Sequence, residues 1–569
     1  MSNTDANFIE TLVVGAGPVG LTMASELARY GVRCRIIDKS PTPSQVSKAL
    51  GIQARTLEVF EDMGVIQPFL NEGLRMEGVN LYDATKQLAE IRLENIDLSD
   101  LPYPFGMLLP QSHTERILMA HAATLGVSVE RPKELLHFAQ DAEGITVTLR
   151  CADGTEERIR THWLLGCDGA SSSVRGLLGI PFEGETYKEA FWAADLTVAT
   201  DLPSNIIHTV WHPDGMMMIF PLFPERRLFR FAADVMVDVP QGERPAPPTF
   251  EQMLAVIQHR CPFTLNVRDP EWLSAFRIHH RKIKQYRHGR VFLAGDAAHI
   301  HSPMGGQGMN TGIQDAYNLA WKLALVQRGY GSEVLLESYQ NEREPVATEL
   351  LEMTNRMTKM AKTRNPLIQK IRNRVVPFIA GTEAVQQKVM RGIAEVNINY
   401  RGTPLVHEDW AGGGDLEAGD RAPDAECFNT STGGTERIFE ALTDKRYMLL
   451  LFTGTNATAA DHRSLRRIAW EIRNDYGNCI ETRFITPSGT SGEDLQHEDT
   501  ATLVDALGYA YERYEVNQPS AVLVRPDGYI AYRSAPATIE DLLSYLYRIF
   551  PQPTAAKRSE RKESELSEA

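Results

Sequence analysis

At 569 residues the chain is long enough for three or four domains of about 150 residues each. Its 43 % hydrophobic and 23 % charged residues exclude a disordered chain, and 59 basic against 74 acidic residues, a formal charge of −15, argue against nucleic acid or an anionic membrane surface as the main partner. The six cysteines (Cys34, Cys151, Cys167, Cys261, Cys427 and Cys479) lie far apart, without Cys-x-x-Cys or zinc-like His/Cys spacing, so neither a disulfide framework nor a metal site is expected.

The N-terminal ten residues lack a basic stretch followed by an apolar one, and no later run approaches about 18 apolar residues, so a cytoplasmic chain with no membrane segment is expected. Residues 9–14 (Ile-Glu-Thr-Leu-Val-Val) read as a strand and are followed by Gly15-Ala16-Gly17-Pro18-Val19-Gly20. Val19, Met23 and Leu27 then share one helical face, Gly31 stops the helix, and residues 32–37 return to strand, ending at Asp38. In such a βαβ unit Gly15 permits the tight turn, Gly17 lets the backbone approach a pyrophosphate, and Pro18 opens a helix whose N-terminus faces the diphosphate. Gly20 allows close helix–strand packing, and Asp38, 18 residues beyond it, can accept hydrogen bonds from a ribose.

Between about residues 180 and 280 the alternating segments 206–212, 216–220 and 228–232 predict a sheet. Within it Met216, Met218 and Phe220 are candidates for an apolar pocket wall, against the alternative that they are simple core. His208, Trp211 and His212 read as structural. The run Val291-Phe292-Leu293-Ala294 then predicts a strand ending in Gly295-Asp296, and the loop Ser302-Pro303-Met304-Gly305-Gly306-Gln307-Gly308-Met309-Asn310 opens a helix with Ile313, Ala316, Ala320 and Leu323 on one face. Backbone N–H groups at that helix start can hold a negative charge.

Residues 366–399 read as a helical connection and 401–419, with five glycines, as a linker. From residue 420 the predicted order is strand 447–452, helix 464–476, strand 479–486, helix 502–511, a hairpin of 521–524 and 529–532, and helix 539–550, a thioredoxin-like order. Only Cys427 and Cys479 fall in this unit, so it reads as a redox-inert packing or dimerisation element, compatible with a homodimer. Residues 552–569 are charged, lack an apolar face and read as a disordered tail.

Three of these stretches together, Gly15 to Gly20, residues 167–175 (Cys-Asp-Gly-Ala-Ser-Ser-Ser-Val-Arg) and Gly295-Asp296 with residues 303–310, resemble the signature motifs of class A flavoprotein monooxygenases. These are the single-component aromatic hydroxylases related to para-hydroxybenzoate and phenol hydroxylases, and the resemblance spans about residues 8–360. It implies an α/β chain with a glutathione-reductase-like FAD-binding Rossmann domain at 1–180 and 281–365, with 86–105 on the substrate side. An interleaved β-sheet substrate domain occupies 181–280, a connection and linker 366–419, and a thioredoxin-like domain 420–551, similar to the extension of phenol and polyketide hydroxylases. FAD is then bound non-covalently, NADPH or NADH docks without a domain of its own, and O2 and a small aromatic compound are the other substrates. The flavin C4a-hydroperoxide passes one oxygen to the ring.

The resemblance also implies site residues. Asp296, with Gly295, would meet the FAD ribityl and pyrophosphate, Asp168 the FAD and the nicotinamide cofactor, Lys48 the FAD phosphates and Gln111 the flavin. Pro303, Gly305 and Gly306 would lie beside the reacting ring, and Gly308, Met309 and Asn310 would hold the flavin. Arg55 is a further candidate. Against these, Lys48 and Arg55 can be solvated cations, and Asp168 can simply cap the helix that follows. Phenol hydroxylases carry a carboxylate where this chain has Leu50, next to the pocket, so the acceptor for a substrate hydroxyl is elsewhere or the substrate is differently activated. Baeyer–Villiger insertion, epoxidation or dehalogenation on a polyketide-like ring would use the same intermediate. A flavin halogenase lacks its Trp-x-Trp pair here, a disulfide reductase lacks paired thiols, and a non-enzymatic flavoprotein is the remaining contrast.

Overall fold

The computed structural model describes residues 8–44, 49–237, 243–302, 305–361, 365, 368–369, 371–375, 382–441, 445–489 and 501–551. Lys48, Pro303 and the tail 552–569 lie outside them. The chain forms two compact units, Met1–Tyr317 with Arg343–Val396, and Asn318–Glu342 with Asn397–Ala569.

In the first unit, five parallel strands run in the order Val291–Leu293, Glu156–Gly166, Phe8–Val14, Cys34–Ile37 and Val129–Glu130. Leu12, Val13, Leu164 and Leu165 are at most 1 % exposed, because a parallel sheet covered on both faces selects unbroken apolar runs over alternation. The helix Pro18–Arg29 follows the first strand and buries Leu21, Met23, Ala24 and Leu27.

The second sheet of this unit is built on two 17-residue strands, Glu183–Ala199 and Asn266–Lys282, and continues through Leu228–Val235, Gly215–Phe223 and Ile206–His212. Side chains alternate across it as a strand requires. Met217 and Ile219 pack with Met253 and Ile257 of the helix Phe250–Arg260, whereas Met216 and Met218 join Phe191 and Ile278 in a separate cluster. Two boundaries differ from the sequence reading. The segment expected on the substrate side joins the second sheet from Gly78, not 86, since Gly78–Asp83 pairs in parallel with Ile206–His212 and turns back as Gln87–Arg92. The division at 280/281 falls inside Asn266–Lys282, whose end pairs with His299–Ile300.

In the second unit, Tyr447–Phe452 pairs in parallel with Ile480–Pro487 and antiparallel with Ser520–Val524, which forms a hairpin with Ile530–Ala535. With helices Ala459–Tyr476 and Ile539–Ile549 this is the thioredoxin-like order. Two sequence expectations are corrected. Residues 502–511 are a strand, Thr502–Asp505, and then a short helix, Tyr509–Arg513, because Thr502-Leu503-Val504 extends the sheet beside Phe484–Pro487. Residues 401–419 are not only a linker, since His407–Trp410 adds an edge strand beside Ile530–Ala535, supplying backbone partners that glycine content does not reveal. Cys427 and Cys479 are free and buried, and burial pushes their thiols up to about 12 and about 11, so both stay protonated at neutral pH.

This unit also buries a charged cluster. Arg525 donates to both oxygens of Glu342 (2.7 and 2.8 Å) and to Asp527 (2.9 and 2.5 Å), while Lys322 donates to Glu342 (2.6 Å). Burial acts to raise Glu342, but the Arg525 and Lys322 charges hold it down to about 2. Among the described residues no helix is long and apolar enough to cross a membrane.

Candidate flavin site and substrate face

The glycines of the N-terminal turn differ in what surrounds them. A Cβ on Gly15, whose φ is +100°, would sit 2.5 Å from the Cys167 carbonyl oxygen, and one on Gly20 would sit 1.9 Å from the Gly15 carbonyl oxygen. A Cβ on Gly17 would meet nothing within 4 Å. Gly15 and Gly20 therefore let backbone close on backbone, and Gly17 leaves open space at the start of the helix that Pro18 begins, a fit for a diphosphate. Asp38 accepts from the Ala16 and Ser40 backbone N–H groups, both at 2.8 Å. Arg131, absent from the sequence reading, lies 3.3 Å from Asp38 and donates to the Ala16 carbonyl at 3.1 Å. It becomes visible only once Val129–Glu130 is known to lie beside Cys34–Ile37.

The motif at 167–175 packs on the same turn. Asp168 accepts from Ser172 Oγ (2.5 Å) and from the Ser173 and Val174 N–H groups (2.6 and 3.2 Å), so its carboxylate caps the helix Ser173–Leu177. Burial raises its pKa, against the pull of those hydrogen bonds. Arg175 stacks over Phe182 at 3.9 Å and donates to the carbonyls of Ala170 (2.6 Å) and Ala297 (2.9 Å), tying this motif to the turn at Gly295.

Gly295 has φ +59° and approaches Gly312 so closely that a Cβ on Gly312 would lie 3.2 Å from the Gly295 Cα. Asp315 is fully buried, and its Oδ2 accepts from the Gly295 N–H (3.0 Å) and lies 2.7 Å from His299 Nε2, while its Oδ1 accepts from Arg343 (2.7 Å). Burial acts to raise this carboxylate, and the charges of Arg343 and His299 outweigh it and lower it. Asp296 is exposed on the same turn. None of Gly312, Asp315, His299 or Arg343 was singled out from sequence, because spacing alone does not separate a buried network from a solvated helix face.

The loop expected beside the flavin is clamped to Gly51–Ile52. Asn310 accepts from the Gln53 N–H (3.0 Å) and donates to the carbonyls of Gly51 (3.0 Å) and Gly306 (2.8 Å), and Gln53 Nε2 donates to the Gly305 carbonyl (3.0 Å). Gly308 and Met309 start the helix Gly308–Gln327. A Cβ on Gly308 would lie 3.2 Å from the ring of His301, which burial pushes down to about 4 and so keeps neutral. Gln111 starts its own helix, accepts from the Ala49 N–H (3.2 Å) and donates to Glu115 (2.8 Å). Arg55 is buried and paired with Glu58 at 2.6 Å, so it is not a solvated helix-edge cation. Behind the loop Glu395, also missed, accepts from Gln314 and from Thr311 (3.3 Å), and burial pushes its carboxyl up to about 8.

The four apolar candidates fall in two buried clusters joined at Phe220. Met216 and Met218 cluster with Phe191, Trp211 and Ile278, and Phe220 packs both on this cluster and on one containing Leu50, Met76, Leu108 and Leu222. His208 lies on the other face and is buried, with its Nδ1 3.2 Å from the Tyr82 hydroxyl.

Residues 9–354 match the model of the FAD binding domain family, and residues 416–553 match that of the aromatic-ring hydroxylase C-terminal domain. The chain belongs to the FAD-dependent aromatic-ring monooxygenases. This monooxygenase is 34 % identical over 560 residues to 6-methylpretetramide 4-monooxygenase of Streptomyces rimosus, covering 97 % of this chain and 96 % of that one. It is 34 % identical over 531 residues to pentachlorophenol 4-monooxygenase of Sphingobium chlorophenolicum, covering 92 % and 93 %. The structure of the anhydrotetracycline hydroxylase OxyS from Streptomyces rimosus superposes with a TM-score of 0.74 at 28 % identity, over 96 % of this chain and all of the other. FAD is the cofactor of the monooxygenase, as the family model and the open cradle at Gly17 agree.

Proposed function

We propose that the monooxygenase hydroxylates a phenolic or polycyclic aromatic ring in the cytoplasm, consuming NADPH or NADH and O2 and releasing water with one oxygen atom placed on the ring. The observation that carries this reading is the apolar face formed by two buried clusters that share Phe220, one with Phe191, Trp211, Met216 and Met218 and the other with Leu50. Such a face excludes water and takes up a flat, extended ring system. Leu50 is 7 % exposed among leucines and methionine, so a carboxylate at this place would be buried without a partner. The names of relatives that cover nearly the whole chain, on fused-ring and on phenolic compounds, support the same substrate class.

Bound FAD supplies the redox chemistry and the activation of oxygen. Gly15, Gly17 and Gly20 would receive its diphosphate at the helix start, with Pro18 fixing the first turn and Asp38 at the ribose. Gly295 and Asp296 would serve the ribityl and pyrophosphate region, Lys48 the phosphates and Gln111 the flavin. Gly305, Gly306, Gly308, Met309 and Asn310 would hold the flavin against Gly51, with Pro303 in the same loop. Asp168 would act there through the helix it caps.

The test is anaerobic stopped-flow reduction of the purified holoenzyme by NADPH and by NADH, with and without a panel of phenols, hydroxybenzoates and fused-ring phenols. A fused-ring or simple phenol should speed reduction by about tenfold or more, a barrier change of about 1.4 kcal/mol, and should be recovered with one added oxygen once air is admitted. Reduction that is equally fast with no aromatic present, and no hydroxylated product from any of the panel, would overturn the reading.

A further inference from the structure

The hairpin turn between Ile206–His212 and Gly215–Phe223 carries a cluster that sequence spacing hides, because its third member lies 45 residues beyond Asp214. His212, Asp214 and His259 each place one ligand-type atom within 4.8 Å of the other two. His259 Nε2 is 2.8 Å from Asp214 Oδ2, His212 Nδ1 is 3.6 Å from the same oxygen, and the two imidazole centroids are 4.6 Å apart. Ligand atoms on one tetrahedral zinc ion stand about 3.3 Å from each other, given metal–ligand bonds of about 2.0 Å.

We propose that His212, Asp214 and His259 form a binding site for a divalent transition-metal cation, with Zn2+ the cation its two imidazoles and one carboxylate suit best. This donor set differs from the all-oxygen sets that hold Mg2+ or Ca2+. Three protein ligands leave one tetrahedral position open, and Asp214 and His259, each about two-thirds exposed, give solvent access to it.

The support beneath the cluster is built and buried. Arg260 donates to the carbonyls of Met216 (2.8 Å) and Asp214 (3.1 Å) and lies 3.4 Å from Asp234 Oδ1, which in turn accepts from the Met216 N–H (2.5 Å). Gly215, at φ +138°, fits beneath this pair, since a Cβ there would lie 2.4 Å from Asp234 and 2.9 Å from Arg260. The turn bearing His212 and Asp214 is thus held against the helix end bearing His259 before any cation arrives, the arrangement that lowers the cost of ordering ligands. Binding has two local costs. It displaces the 2.8 Å hydrogen bond between His259 Nε2 and Asp214 Oδ2, and it replaces the 3.1 Å hydrogen bond that the Asp214 N–H donates to His212 Nδ1. A bound cation would pin the turn that leads directly into Met216.

The test is titration of the metal-free holoenzyme with Zn2+ by calorimetry, and with Co2+ by visible absorption, in the wild type and in His259→Ala and Asp214→Asn. Both substitutions are at exposed positions, and the flavin absorbance and its reduction by NAD(P)H report that each variant is folded. The expected result is one cation per chain in the wild type, tetrahedral Co2+ bands, and an affinity about 100-fold lower or worse in both variants, whose flavin reduction is unchanged. Wild-type binding no tighter than that of the two variants, or no Co2+ bands in the wild type, would overturn the proposal.

Discussion

Gly17 and Gly20 occupy one motif and answer to different constraints. Gly20 has the Gly15 carbonyl oxygen 1.9 Å from where a Cβ would be, whereas Gly17 faces open space at an ordinary negative φ of −81°. Gly20→Ala should therefore cost about 3 kcal/mol or more by forcing helix and turn apart. Gly17→Ala should change stability by no more than about 0.5 kcal/mol yet lose most of its FAD, because the methyl group occupies the space a diphosphate needs. Denaturant unfolding and the flavin-to-protein absorbance ratio of the purified variants separate the two. Glu395 makes a different prediction. Its folded-state pKa is raised by burial from 4.5 to about 8, so the folded protein keeps a proton that the unfolded chain has lost between those values. The stability this proton contributes is complete below 4.5 and falls away as the pH climbs to about 8. Glu395→Gln is neutral throughout, so its stability relative to wild type should grow across that window, read from urea unfolding at a series of pH values. A difference that shrinks as pH rises would show that the carboxyl is ionised in the fold.

Among the elements, the helix Gly308–Gln327 organises the flavin loop through Asn310 at its first turn and Asp315 one turn later. Asp315 holds the Gly295 N–H, His299 and Arg343 together without solvent, so Asp315→Asn leaves the buried Arg343 guanidinium without its carboxylate. Breaking such a pair costs about 3–5 kcal/mol, and denaturant unfolding should register it together with weaker FAD retention. Much of the flavin unit at this scale was legible in the sequence. The strand, glycine turn, helix and second strand from Phe8 to Asp38 were readable because buried parallel strands are unbroken apolar runs and glycines punctuate them. The alternation Met216, Met218, Phe220 was equally readable as one face of a strand. Arg131, Gln53 and Asp315 were not, since their partners lie 93, 252 and 16 or more positions away and no local period records such pairings.

For the whole molecule, neither compact unit is one continuous segment, as 318–342 belongs with the C-terminal residues from 397 onward. The glycine-rich boundary at 401–419 suggests a separable C-terminal domain, but that cut would remove Lys322 and Glu342. It would leave Arg525 and Asp527 without the carboxylate and ammonium that complete their buried cluster. A fragment starting at residue 397 should therefore unfold without a cooperative transition in circular dichroism. A longer fragment, with 318–342 joined to it by a flexible linker, should recover one. A cooperative transition in the shorter fragment would show that the cluster is dispensable to this unit.

Local pattern, then, determined the βαβ cradle and the α/β class, because those rest on periodicity and on glycines within a few tens of residues, whereas the flavin family rested on the resemblance of three separated motifs to known flavoproteins. Tertiary structure alone decided that Asp168 caps a helix, that Arg55 is paired and buried, and that 407–410 is a strand. It alone brought His259 to Asp214 and gathered Asp315, Glu395 and Arg525 into buried networks. For the pairings between residues far apart in sequence the physical reason is a common one. A charged side chain carries no mark in sequence of whether water or a distant partner satisfies it, and only the folded chain makes that choice.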